Sequence, residues 1–127
     1  MKFLRALAVG LMLAGPVSAQ DLAKGIAAYK AGDYATALQE LRPLAEQGNL
    51  WSQVGLADMY LRGNGVPQNY IEAEKWQRLA AEQGRARSQN SLGVMYERGE
   101  GVLQDYAEAA DWYRKAAVQG LARAQSN

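Results

Sequence analysis

Cysteine and histidine are both absent from the 127 residues. Their absence excludes Ser-His-Asp and Cys-His catalysis, thiolate sites and imidazole metal ligation. No P-loop and no GxGxxG pattern occurs, and Gly63-x-Gly65 lacks the lysine that would follow in a phosphate loop. Neither sign of charge dominates, with 14 Lys and Arg against 13 Asp and Glu, so nothing draws the chain toward nucleic acid or an anionic membrane. Carboxylates remain as the chemistry on offer, in the close pairs Glu72/Glu74, Glu97/Glu100 and Glu108/Asp111. A glycosidase needs two carboxylates facing across a cleft. Glu72 and Glu108 read instead as helix caps, and Glu97 with Glu100 flank a turn. No enzymatic activity, cofactor or metal is therefore expected.

Long apolar runs are also missing. The one candidate, Ala6 to Ala14, follows Lys2 and Arg5 and is too short to span a bilayer. Gly15-Pro16 breaks it, and Val17-Ser18-Ala19 supplies small residues for cleavage. Residues 1–19 thus read as a secretory signal peptide, with the mature chain beginning at Gln20 and no integral membrane segment left after cleavage. The expected location is the periplasm or outside the cell.

What is present is a repeat. Asn49–Gly84 and Arg85–Gly120 align without a gap at a period of 36 residues, with 19 identical positions. A period of this length signals a stacked array of helix pairs. Each copy predicts a first helix from about Leu50 to Arg62 and a second from about Tyr70 to Gln83. Between them, Gly-Asn-Gly-Val-Pro-Gln or Gly-Glu-Gly-Val-Leu-Gln supplies backbone angles other residues avoid. Asn69 and Asp105 are placed to cap the second helices, with Glu72 and Glu108 as the far halves of capping boxes. Ala73, Trp76 and Ala80 form a helical stripe, so Trp76 and Trp112 belong to the core. Gly84 and Gly120 are expected to end their helices.

The pattern Leu56-Ala57-x-x-Tyr60-x-x-Gly63-x-Gly65-Val66, followed by Asn69, Ala73, Trp76, Ala80-Ala81 and Gly84, resembles the Sel-1-like repeat family, relatives of the tetratricopeptide repeat. The resemblance implies an all-α fold, an antiparallel helix-pair repeat solenoid wound as a right-handed superhelix, that binds other proteins. Some secreted members staple each repeat with a disulfide; this chain, lacking cysteine, departs from them. Residues 22–48, with the tight Gly32-Asp33 turn, look like a tetratricopeptide-like helix pair capping the array, with Asp33 as helix cap. The units are then 1–19, 22–48, 49–84 and 85–120, with 121–127 restarting an incomplete repeat, either as a natural end or as a truncated array.

Comparing the two copies gives a candidate site. On a wheel of about 100° per residue, the identical positions of the first helix (52, 53, 56, 59, 60 and 62) occupy one side. The differing positions carry Trp51, Val54, Asp58 and Leu61 in one copy and Arg87, Asn90, Val94 and Glu97 in the other. First helices line the concave side of such solenoids, so these eight residues are the candidate partner-binding face, surface drift being the alternative. Trp51 either anchors a partner or packs on the N-terminal pair. Arg62/Arg98 and Arg78/Arg114 repeat in register, as a clamp for an acidic peptide or, more commonly, as surface pairs. The function expected is a non-enzymatic exported scaffold for an unknown protein or peptide. The alternative is a factor that binds or processes peptidoglycan at the bacterial envelope.

Overall fold

The computed structural model describes residues 19–126, and the expected signal peptide, residues 1–19, lies outside them but for Ala19. Six helices follow one another: α1 Ala19–Lys30, α2 Tyr34–Glu46, α3 Leu50–Arg62, α4 Tyr70–Glu82, α5 Ala86–Arg98 and α6 Tyr106–Ser126. No strand occurs among the described residues. Each helix packs mainly on its neighbours in the chain, and α1 also reaches α3. This nearest-neighbour packing is the signature of a solenoid, in which one helix pair cannot bury its apolar face without the next.

Local chemistry sets the helix ends. Asn69 Oδ1 accepts from the backbone N–H groups of Ile71 and Glu72, and Asp105 Oδ1 accepts from Ala107 and Glu108. Asp33 Oδ1 accepts from Thr36 N–H in the same way. The expected capping boxes are only half formed. The N–H groups of Asn69 and Asp105 donate instead to the carbonyls of Tyr60 and Tyr96, so Glu72 and Glu108 are not needed there. Those bonds tie the second helix of each pair to the C-terminal turn of the first.

Gly101 combines two demands. Its φ is +75°, and a Cβ built there would lie 2.2 Å from the Tyr70 carbonyl oxygen. The loop of the second repeat thus presses backbone to backbone on the start of α4, which only glycine permits. Gly84, at φ +95°, turns the chain between repeats as expected, but Gly120 does not: α6 runs through it to Ser126. At Gly84 the chain turns back into α5, whose Gln89 donates to the Ala81 carbonyl in the last turn of α4. After Gly120, Leu-Ala-Arg-Ala-Gln is good helix-forming sequence.

Two apolar clusters form the core. Leu41, Leu56, Met59 and Trp76 centre the first. Leu92, Met95 and Trp112 centre the second, together with Ala73 and Ala81 of the preceding repeat. Trp76 is 3% exposed and Trp112 7%, in keeping with the helical stripe. Polar residues are buried here too. Gln53 and Gln89 donate to the carbonyls of Ala45 and Ala81, and in turn accept from Gln83 and Gln119. They satisfy helix-end carbonyls that packing has removed from water. That role accounts for a glutamine at an invariant, buried position.

Candidate functional site

The N-terminal turn of the first helix separates the two repeats. Asn49 caps α3, its Oδ1 accepting from the N–H and the hydroxyl of Ser52. Arg85 stands in the same register before α5 and makes no capping bond. Its guanidinium reaches back over the Trp51 ring, 5.6 Å from the centroid, while Nη1 donates to Ser88 Oγ at 3.0 Å. Burial first, then repulsion from Arg87, lowers the pKa of Arg85, although an arginine stays ionised under any ordinary condition.

Below this arginine lies a groove of about 310 Å³. Ile26 of α1, Leu41 of α2 and Val54 and Gly55 of α3 give it an apolar floor, with Trp51 along one wall. Its charged lining is Lys30, Asp58, Arg85 and Arg87. Asp58 is already engaged, accepting from the Tyr29 hydroxyl and from Arg62 Nε. A second hollow of about 470 Å³ opens on the other side and shares Trp51, Arg85 and Arg87, which thereby form the ridge between the two.

Gln77 of α4 also lines the groove. It is 7% exposed, and its side-chain oxygen has no hydrogen-bond partner. Leu41, Gln77 and Tyr113 occupy one register position, each a 36-residue period apart. Leu41 packs on Gly25, and Tyr113 packs on Gly93 while its hydroxyl donates to Glu97 Oε2 at 3.2 Å. Burial, and then the charge and hydrogen bond of Glu97, raise the pKa of Tyr113. The middle repeat alone places an unpartnered amide in this layer.

The eight candidate residues divide. Trp51, Val54, Asp58 and Arg87 line the groove. Trp51 is 53% exposed, so it is not buried against the N-terminal pair. Leu61 packs against the second core cluster, Glu97 accepts from Tyr113, and Asn90 and Val94 lie on the same helix row beyond the groove. Ala57 and Gly93 differ between copies yet are buried, because a small residue is required where the helices close up. Sequence comparison of the first helices missed Ile26, Tyr29, Lys30, Gln77 and Arg85. One local signal was available: an arginine in a slot where the other repeat has a capping asparagine breaks the helix-cap rule.

The arginine columns are paired. Arg62 meets Asp58, Arg98 meets Glu100 and Arg114 meets Asp111. Arg78 meets Glu74 and donates to the Tyr96 hydroxyl. Among the described residues no carboxylate cluster could hold a metal ion, and no helix is long and apolar enough to cross a membrane.

The Sel1 repeat family profile matches residues 52–84 and 86–121. The chain is similar to the exopolysaccharide production negative regulator of Rhizobium meliloti (strain 1021), at 37% identity, and to that of Rhizobium leguminosarum bv. viciae, at 36%. Each match covers 54% of this chain, which spans only 31% of the relative's length. The crystal structure of a Sel1 repeat protein from Oxalobacter formigenes is similar at TM-score 0.70 and 42% identity, over 75% of this chain and 39% of that one. So is a protective antigen present in uropathogenic Escherichia coli strains, displaying an SLR fold, at TM-score 0.72 and 41% identity. That match covers 79% of this chain and 23% of the antigen.

Proposed function

This chain belongs to the Sel1 repeat family, and from that premise we propose that it is an exported, non-enzymatic scaffold that holds a protein or peptide partner along the row of its first helices. The observation carrying this reading is the division of α3 and α5. Ser52, Gln53, Leu56 and Met59, invariant between copies, are buried, as are Ser88, Gln89, Leu92 and Met95. Of the positions that differ, Trp51, Val54, Asp58 and Arg87 line the groove. A scaffold must keep its packing face constant, whereas a face that reads a partner differs from repeat to repeat. Two relatives are named as negative regulators of exopolysaccharide production, and a regulatory role exercised by holding another protein suits a scaffold at the cell envelope.

Export is part of the proposal. Cleavage after Ala19 would leave α1 whole from its second residue, and intact-mass measurement of the periplasmic fraction should find a chain starting at Gln20. Retention of Met1–Ala19 would contradict export by this route. Partner capture is tested by placing a photo-crosslinking residue at Asn90, on the first-helix row, or at Lys75, exposed on the second helix α4. Adducts should form from Asn90 and not from Lys75. Adducts from Lys75 alone would move binding to the second helices.

A further inference from the structure

Most cations among the described residues have a partner. Lys24, Arg62, Arg78, Arg98 and Arg114 are in ion pairs, Arg42 donates to the Tyr60 hydroxyl, and Lys75 and Lys115 lie over tryptophan rings. Lys30, Arg85 and Arg87 form no ion pair among the described residues, and all three line the same groove, Arg85 resting on the Trp51 ring and on Ser88 Oγ. The single carboxylate there, Asp58, is held by Tyr29 and Arg62. The groove is therefore a positive rim around an aliphatic floor.

A second, independent feature points to a ligand. The Gln77 carboxamide is more than nine-tenths buried, lines the groove and has an oxygen with no partner. A buried amide left unpaired is unfavourable, so a ligand that pairs it is favoured. A peptide backbone carries both a donor and an acceptor, so it satisfies the amide in either orientation of the side chain. The volume lies at the low end of the roughly 300–1,000 Å³ of ligand pockets, which suits one side chain and its flanking backbone rather than a whole folded surface.

Resting on the partner-binding reading above, we propose that this groove takes a short acidic peptide segment. One large apolar side chain sits on Ile26 and Val54 against Trp51, carboxylates on either side meet Lys30, Arg85 and Arg87, and a backbone amide meets Gln77. Arg85 is the specificity-determining residue, because it forgoes the helix cap that Asn49 makes and holds its charge at the groove edge. An anionic sugar chain fits less well, since an aliphatic floor offers no partners to its hydroxyls.

The test is to pan a phage-displayed library of random peptides on the immobilised mature chain, then measure synthetic representatives by fluorescence anisotropy. Enriched peptides should carry Asp or Glu around one large apolar residue, and their affinity should fall as NaCl rises. Arg87→Glu, Arg85→Asn and Gln77→Leu should each weaken binding about tenfold, with the helical melt of Arg87→Glu unchanged. Neutral or basic peptides that depend on Trp51 would overturn the acidic assignment while leaving the groove as a binding site. No enrichment, or binding indifferent to Trp51→Ala, would remove the partner-binding reading of this face as well. Oligogalacturonate binding that is lost in Arg87→Glu, with no peptide enriched, would assign the groove to an anionic polysaccharide instead.

Discussion

The two repeats, Asn49–Gly84 and Arg85–Gly120, share a buried frame and differ in how they treat one layer above it. In the second repeat, Tyr113 covers Gly93 and ends its hydroxyl on Glu97, so the layer is filled and its polar atom satisfied. In the first, Gln77 leaves an amide oxygen unpartnered beside an open groove. The contrast is reversed at the helix starts. Asn49 spends its side chain on capping α3, and Arg85 leaves α5 without a side-chain cap. Local stability is given up at two positions that line the hollow, Gln77 and Arg85. An array of similar units thus carries one distinctive site rather than a row of equivalent ones.

The largest effect should fall on what the repeats share. Trp112→Ala should cost roughly 3–5 kcal/mol, against a total of about 5–15 kcal/mol for a domain of this size, and leave a largely unfolded protein. A thermal melt unchanged from wild type would remove Trp112 from the core. The comparison is sharpened by making the first repeat resemble its neighbours. Gln77→Leu, which copies Leu41, removes a buried unsatisfied amide and should stabilise the chain by about 1–3 kcal/mol. A lower melting temperature would mean the amide is paired and the contrast between the repeats is false.

Arg85→Asn copies Asn49. It restores a cap, worth about 1 kcal/mol, and relieves the crowding of Arg85 by Arg87, so the melting temperature should rise by a few degrees. Unaltered stability would show that the arginine does as well as the asparagine in that slot. The smallest effect on folding is expected at Trp51. Half its surface is already exposed, and its contact with Arg85 is worth about 0.5–1 kcal/mol. Trp51→Ala should barely shift the melt yet weaken partner capture by roughly 2 kcal/mol or more. A melt that falls before binding does would make Trp51 an inter-repeat contact.

Much of the helical frame was readable from residues alone. Asn69 and Asp105 cap as expected, the loop glycines take positive φ, and Trp76 and Trp112 are buried. Each of these follows from a few adjacent residues. The site was readable in part. Periodicity separated outward from inward positions of α3 and α5, which brought in Trp51, Val54, Asp58 and Arg87. It also brought in Leu61, whose outward direction on its own helix is inward with respect to the next repeat. It passed over Gln77 because the comparison of copies was confined to the first helices, and Gln77 stands on a second one.

The 36-residue period dictates stacking, because a helix pair with one apolar face has no stable way to bury it except against another such pair. Local chemistry then sets where each helix begins and, at Gly48 and Gly84, where the chain turns. Gly120 departs from that rule, lying inside α6 rather than at its end. The groove belongs wholly to the packed structure. Its walls come from α1, α2, α3, α4, the turn before α5 and α5 itself. A helical wheel gives the angle of a side chain about its own axis and carries no information about which distant residue stands opposite. Only the docking of those helices put Lys30, Gln77 and Arg85 around the same space.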